Sequence, residues 1–131
     1  MFSAPIEIRF RDLDSLGHVN HAVVATYLEQ IRVQWWQGFL GGRPFLEEGF
    51  VMAHLAMDYH VPILFGDRIR VEQDVTRVGN ASFTLRARVI RESDGLLLVD
   101  STSVGVMVDE AERRPRPIGA EARAWLEGQL A

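Results

Sequence analysis

The sequence predicts an α+β fold: an antiparallel five-stranded sheet wrapped around one long buried helix, with a short C-terminal helix. Three observations lead there. The stretch from His21 to about Gly38 has helical periodicity and is apolar around most of its circumference. Five segments alternate apolar and polar residues, and four of them follow the helix in succession, separated by turn sequences. One sheet and one nearly all-apolar helix bury their surfaces together only if the sheet curls about the helix. The 131 residues suit a single domain with its own core.

The first strand is expected at Ile6–Asp12, where IEIRFRD alternates. Asp12 to Asn20 contains Gly17 and few apolar residues, so a loop follows. In the helix Val24, Tyr27, Leu28, Ile31 and Trp35 recur at three- and four-residue steps, and Val23, Ala25, Val33 and Trp36 widen the stripe. Asn20 is a good N-cap, and GFLGG supplies glycines to end the helix. The second strand, Val51–Val61, puts Val51, Ala53, Leu55, Met57, Tyr59 and Val61 on one face until Pro62 and FGD break it. Arg68–Val78 and Ser82–Glu92 are the next two strands, joined by the turn GNA at Gly79–Ala81. After the turn Ser93–Gly95, Leu96–Val108 is the most apolar strand and is expected at the centre of the sheet. RRPRP reads as a basic connector, and Gly119–Leu130 as a small helix carrying Ala122, Trp125 and Leu126. The helix covers one face of the sheet. A long uncovered face or edge invites another subunit, so a homodimer is expected, and a tetramer built as a dimer of dimers is compatible with it.

Composition narrows the function. Hydrophobic residues make up 47%, which marks a globular chain. No apolar run reaches the roughly 18 residues of a membrane span. MFSAPIEIRF has neither the basic start nor the apolar centre of a signal peptide. The absence of cysteine excludes disulfides, thiolate metal sites and cysteine nucleophiles. Together these fit a cytoplasmic protein. A net charge of −4 argues against nucleic acid as partner. All 14 basic residues are arginine, whose guanidinium forks onto phosphate.

The stretch RDLDSLGHVNHA concentrates Asp12, Asp14, His18, Asn20 and His21 just ahead of the helix. With Asn20 as N-cap, the N–H of His21 is left without an intrahelical partner at the positive pole of the helix dipole. Such a donor stabilises an oxygen that is gaining negative charge, and losing one costs roughly 10²–10³ in rate. Asp14, across a glycine turn, can face the same point and either attack a carbonyl carbon or activate a water. A carboxylate, an oxyanion donor and nearby imidazoles suit acyl transfer. The plainer reading is that Asp12 and Asp14 only make turn hydrogen bonds.

DLDSLGHVNHAVVATYLEQIR resembles the signature of the hotdog-fold acyl-CoA thioesterases, in the 4-hydroxybenzoyl-CoA thioesterase and YbgC-like branch. The matching pattern is Asp-x-Asp-x-x-Gly, a valine, then a helix with Tyr27, Glu29 and Arg32. YHVPILFGDRIRVEQDVTRVGNASFTLRARVI and DGLLLVDSTSVGVMVD are similar to the family's later strands, so the resemblance spans about residues 5–110. It implies a hotdog fold and a thioester hydrolase acting on an acyl-coenzyme A, with no cofactor beyond the coenzyme A of the substrate. It implies that Asp14 is the catalytic carboxylate and that His21 supplies the polarising N–H. GHVNHA departs from the branch at Asn20, where many members carry an aromatic. His18 and Asn20 resemble the GHVN of acyl-carrier-protein thioesterases, which leaves acyl group and carrier open. Another branch uses a helical glutamate, but Glu29 lies well over a turn from the helix start and reads as structural.

Of the remaining candidates, His18 can orient a water or Asp14, and Asp12 reads as a turn acceptor. Asp12, Asp14, His18 and His21 are a conceivable metal set, but the resemblance implies a metal-free site. His54 and His60 are ~20 Å apart at ~3.3 Å per strand residue, too far to share an ion. Asp58 and Tyr59 read as packing residues that can also approach a partner's site. Asn80 and Ser82 are weak carrier contacts. Arg86, Arg88 and Arg91 near the fourth strand, and Arg113, Arg114 and Arg116 after the last, are candidates for gripping coenzyme A phosphates; solvated surface is their plain alternative. A non-catalytic acyl-thioester binder on the same fold is the second functional reading, and a hotdog dehydratase or hydratase the third.

Overall fold

The computed structural model describes residues 1–131. The helix α1, His21–Leu40, begins at Asn20, whose side chain accepts from the Ala22 N–H at 2.8 Å. It ends two residues beyond the expected Gly38, because Gly41 takes the left-handed conformation (φ 57°) that closes a helix. Gly38 stays helical and packs beside Trp125.

Five strands wrap this helix: β1 (Phe2–Ile6), β2 (Phe50–Tyr59), β3 (Ile69–Val78), β4 (Ser82–Arg91) and β5 (Leu97–Asp109). They are antiparallel, in the spatial order β1-β3-β4-β5-β2. The most apolar strand, β5, is therefore interior but next to the edge, and β4 holds the centre that the sequence assigned to β5. A short β6 (Arg114–Pro115) pairs with Val108 and Asp109, so the expected connector is partly strand. The helix α2 (Ala120–Gly128) closes one end of the core. No helix is long and apolar enough to cross a membrane.

The first strand is displaced from its expected place. Phe2–Ile6 pairs with Gln73–Ile69, whereas Phe10–Asp12 is a 3-10 turn. The alternation of Ile6, Ile8 and Phe10 continues past the strand. The Asp12 carboxylate, however, accepts from the Arg9 N–H at 3.0 Å and folds the chain back, leaving Phe10 exposed.

Alternate residues of β3, β4 and β5 point inward and pack on α1. The core falls into two clusters along the helix. Val24, Tyr27, Leu28 and Ile31 meet Val71, Val89, Leu98 and Val99 in one. Trp35, Trp36, Phe39 and Leu40 meet Val75, Phe83, Leu85, Met107 and α2 in the other. The Trp36 and Phe83 rings stack with centroids 6.0 Å apart. Trp35, Trp36 and Phe39 are thus core residues of the far helix end, roughly 21–27 Å from His21 at 1.5 Å rise per residue.

Candidate active site at the head of the buried helix

Asp14 starts a tight turn closed by Gly17 N–H to the Asp14 carbonyl at 3.1 Å and Asp14 N–H to the His18 carbonyl at 2.7 Å. Gly17 sits at φ 79°, which side-chain-bearing residues rarely adopt. One carboxylate oxygen, Oδ1, accepts from the N–H groups of Leu16 (2.9 Å) and His18 (3.2 Å). The other, Oδ2, makes no hydrogen bond within the chain. The turn-acceptor reading of Asp14 therefore holds for Oδ1, while Oδ2 is left without a partner in the chain.

The chain then returns to the helix start. The Val19 N–H donates to Ile63 at 2.8 Å and the Asn20 N–H to Asp12 at 2.8 Å, which fixes where α1 begins. The Asn20 amide is spent on its cap. The N–H of His21, first in the helix, has no partner in the fold. Tyr59 from the end of β2 donates its hydroxyl to the His21 carbonyl at 2.7 Å and meets the His21 ring edge-on. Burial pushes the Tyr59 phenol above its ordinary range, so it stays a donor.

These groups meet at one cleft of about 240 Å³. Asp14, His18, His21 and Tyr59 supply its polar lining, and Val24, Val61, Ile63 and Val99 its apolar walls. Three of the four catalytic candidates thus come together. Asn20 does not line the cleft and acts on it only by capping. Tyr59 and the Pro62–Ile63 wall were not singled out for this cleft: they belong to it through long-range pairing, such as the bridge His18–Leu64, that no local pattern encodes.

Asp12 faces the other way. It is 2% exposed and accepts from Tyr27 Oη at 2.6 Å and from the Arg9 guanidinium at 3.1 Å. Burial pushes its carboxyl up, but the Tyr27 and Arg9 hydrogen bonds outweigh this and hold it below the usual range. Tyr27 is pushed well above its own ordinary value by burial and by Asp12. No group of three or more His, Asp or Glu side chains is arranged to hold a metal ion. Glu29 is exposed, one turn from the buried Arg32.

The candidate phosphate arginines are not in this cleft. Arg86 forks onto Asp100 at 3.2 and 3.1 Å, Arg88 meets Asp74 at 2.8 Å, and Arg91 grips Asp94 at 2.6 Å. The Arg91 hydrogen bonds pull the Asp94 carboxyl down to about 2. Arg114 pairs with Glu112, and Arg116 with Glu48 at 2.9 Å. Arg113 has no acidic partner and sits at φ 53°.

Residues 16–98 match the model of the thioesterase superfamily. The chain belongs to that superfamily. Among its members it is 29% identical over 127 residues to the acyl-CoA thioesterase YbgC of Haemophilus influenzae, covering 94% of this chain and 92% of that one. A predicted thioesterase from Bacillus stearothermophilus superposes with a TM-score of 0.91 at 25% identity, over 99% of this chain and 96% of the other. A Thermus thermophilus thioesterase, solved with coenzyme A and zinc, gives 0.84 at 34% identity, over 95% of each chain. The curled sheet about α1 is thus the hotdog fold of these thioesterases, and the superfamily chemistry is thioester hydrolysis.

Proposed function

We propose that this thioesterase hydrolyses an acyl-coenzyme A at the cleft beside the head of α1. One observation carries the reading: Asp14, whose Oδ2 makes no hydrogen bond in the chain, and His21, whose N–H has no partner, line the same cleft. The thioester carbonyl oxygen accepts from the His21 N–H, where the helix dipole favours the charge that builds up. Asp14 either attacks the carbonyl carbon, expelling the coenzyme A thiolate and forming a mixed anhydride that water then hydrolyses to restore the carboxylate, or takes a proton from a water whose oxygen attacks that carbon. In both routes the carbon–sulfur bond breaks and the thiolate leaves with the proton that water supplies. His18 lines the approach to Asp14. The names of the Haemophilus relative and the coenzyme A in the Thermus structure support coenzyme A as carrier. The route calls for no cofactor beyond it.

The acyl group enters beside β2, and a second copy completes the wall. In support, β2 is an edge strand with Val51, Leu55 and Tyr59 half exposed. The carrier phosphates meet arginines. Arg113 is free for this, while Arg86, Arg88 and Arg91 exchange a carboxylate for a phosphate. Arg113→Ala is expected to raise KM several-fold with kcat nearly unchanged, checked by steady-state kinetics.

Free-thiol release from a panel of aliphatic and aromatic coenzyme A esters tests the reading. Turnover of at least part of the panel is expected. Saturable binding of the same esters with no thiol released would instead make the chain a binder.

A further inference from the structure

The fold buries two charged side chains, Asp12 and Arg32. Asp12 is fully paired, as described above. Arg32 on α1 is 8% exposed, and its guanidinium makes no hydrogen bond and no ion pair within the chain. Burial pulls it below the ordinary arginine range, and the charge of Glu29 counters this only in part. None of its nitrogens is sealed off, because the one fully buried side-chain nitrogen without a partner is Gln73 Nε2. The guanidinium therefore opens onto the cleft that Arg32 lines, a space of about 360 Å³ between α1 and the edge strand β2.

This cleft shares no lining residue with the catalytic one. Its other walls are mostly apolar, with Val33 from α1 and Phe50, Val51 and Met52 from β2. Glu29 lines it too, is exposed, and makes no hydrogen bond or ion pair within the chain. One patch thus carries an unpaired cation, an unpaired anion one turn away, exposed Val33 and Val51, and the open backbone of an edge strand. A desolvated guanidinium with no acceptor is costly, and an uncharged methionine could cover the same apolar surface.

We infer that this cleft receives a second copy of the chain, so that Arg32 of each protomer meets Glu29 of the partner subunit across a two-fold axis. Symmetry allows it. Residues three apart share one face of a helix. A two-fold that pairs the β2 edges antiparallel also lays the two α1 helices antiparallel, on the same face of the joined sheet. An axis between Glu29 and Arg32 then sets each opposite the other type, as an isologous interface requires. Charge favours it over a free anion. A free carboxylate would neutralise Arg32 but crowd Glu29 with a like charge, whereas the second copy brings two carboxylates and two guanidiniums together. The inference rests on the second copy invoked above and adds the residues that dock it; the thioester chemistry does not enter.

Sedimentation equilibrium of wild type, Glu29→Gln, Arg32→Met and the double variant tests it, with circular dichroism confirming the fold of each. Wild type is expected at twice the 14.8 kDa chain mass. Glu29→Gln changes an exposed side chain with no partner in its own chain, yet it strands both arginines in the interface. Its dimer Kd should rise by about a hundredfold or more. Adding Arg32→Met removes the stranded charges and should recover most of that loss, so the two substitutions are far from additive. Dimer affinity within a few-fold of wild type in Glu29→Gln, or additive effects, would overturn the inference and leave the dimer to its apolar edge alone. A wild type that sediments as one chain would also overturn it, and octanoate binding lost in Arg32→Met would then assign the cleft to a free carboxylate. A dimer that shows the non-additivity but releases no thiol from any coenzyme A ester would uphold the pairing and reject the thioesterase reading instead.

Discussion

Two aspartates two residues apart illustrate how context decides a role. Asp12 is buried against Tyr27 and Arg9 and ties the turn before the helix to α1. Asp14 keeps one oxygen free at a cleft. Tyr27→Phe is expected to cost about 1–3 kcal/mol at pH 7, read from urea unfolding, because a buried carboxylate loses a donor. The sign with pH follows from the lowered Asp12 pKa: its stabilisation is present above the ordinary carboxyl value near 4 and is lost as pH falls through the folded value. The penalty of Tyr27→Phe should therefore shrink in acid; a pH-independent penalty would assign it to packing. Asp14 and His21 were legible because residue type and helix-capping rules are local. Tyr59 was not, since its hydroxyl reaches the His21 carbonyl across 38 residues of sequence.

At the scale of elements, periodicity located α1 and four of the strands to within a residue or two: β3, β4 and β5 bury one face on a regular repeat, whereas β2 shifts register between Met52 and His54, so Val51 and Leu55 fall on opposite faces instead of the one face their alternation suggests. It misplaced β1, where alternation runs on through Phe10 while the Arg9–Asp12 hydrogen bonds turn the chain. Strand order escaped it as well, since apolar content does not distinguish β4 from β5 when both are interior. Gly105 on β5 shows how closely these elements pack: a Cβ there would lie 2.5 Å from the Phe83 ring. Gly105→Ala should thus destabilise by about 1–3 kcal/mol through overpacking against Trp36 and Phe83, measured as a lowered unfolding midpoint. An unchanged midpoint would mean that the Phe83 ring has room to shift.

In the whole molecule, the two uncovered surfaces differ. The outer face of the sheet is charged and internally matched, with Arg88 between Glu72 and Asp74 and Arg86 on Asp100. The edge strand β2 is apolar, with an exposed Val51 and an unpaired backbone, so the expected homodimer is better served by that edge than by that face. Val51→Lys is expected to shift the protein from twice the 14.8 kDa chain mass toward a single chain in sedimentation equilibrium, with kcat/KM falling as the dimer is lost. A wild type that sediments as one chain and is fully active would contradict this. The central claim remains the convergence of Asp14 and the His21 N–H on one thioester. It is tested most directly by kcat of Asp14→Asn on the best coenzyme A ester, with a melting curve confirming the fold. The account predicts a loss of at least about a hundredfold at unchanged stability. Turnover within a few-fold of wild type would contradict it.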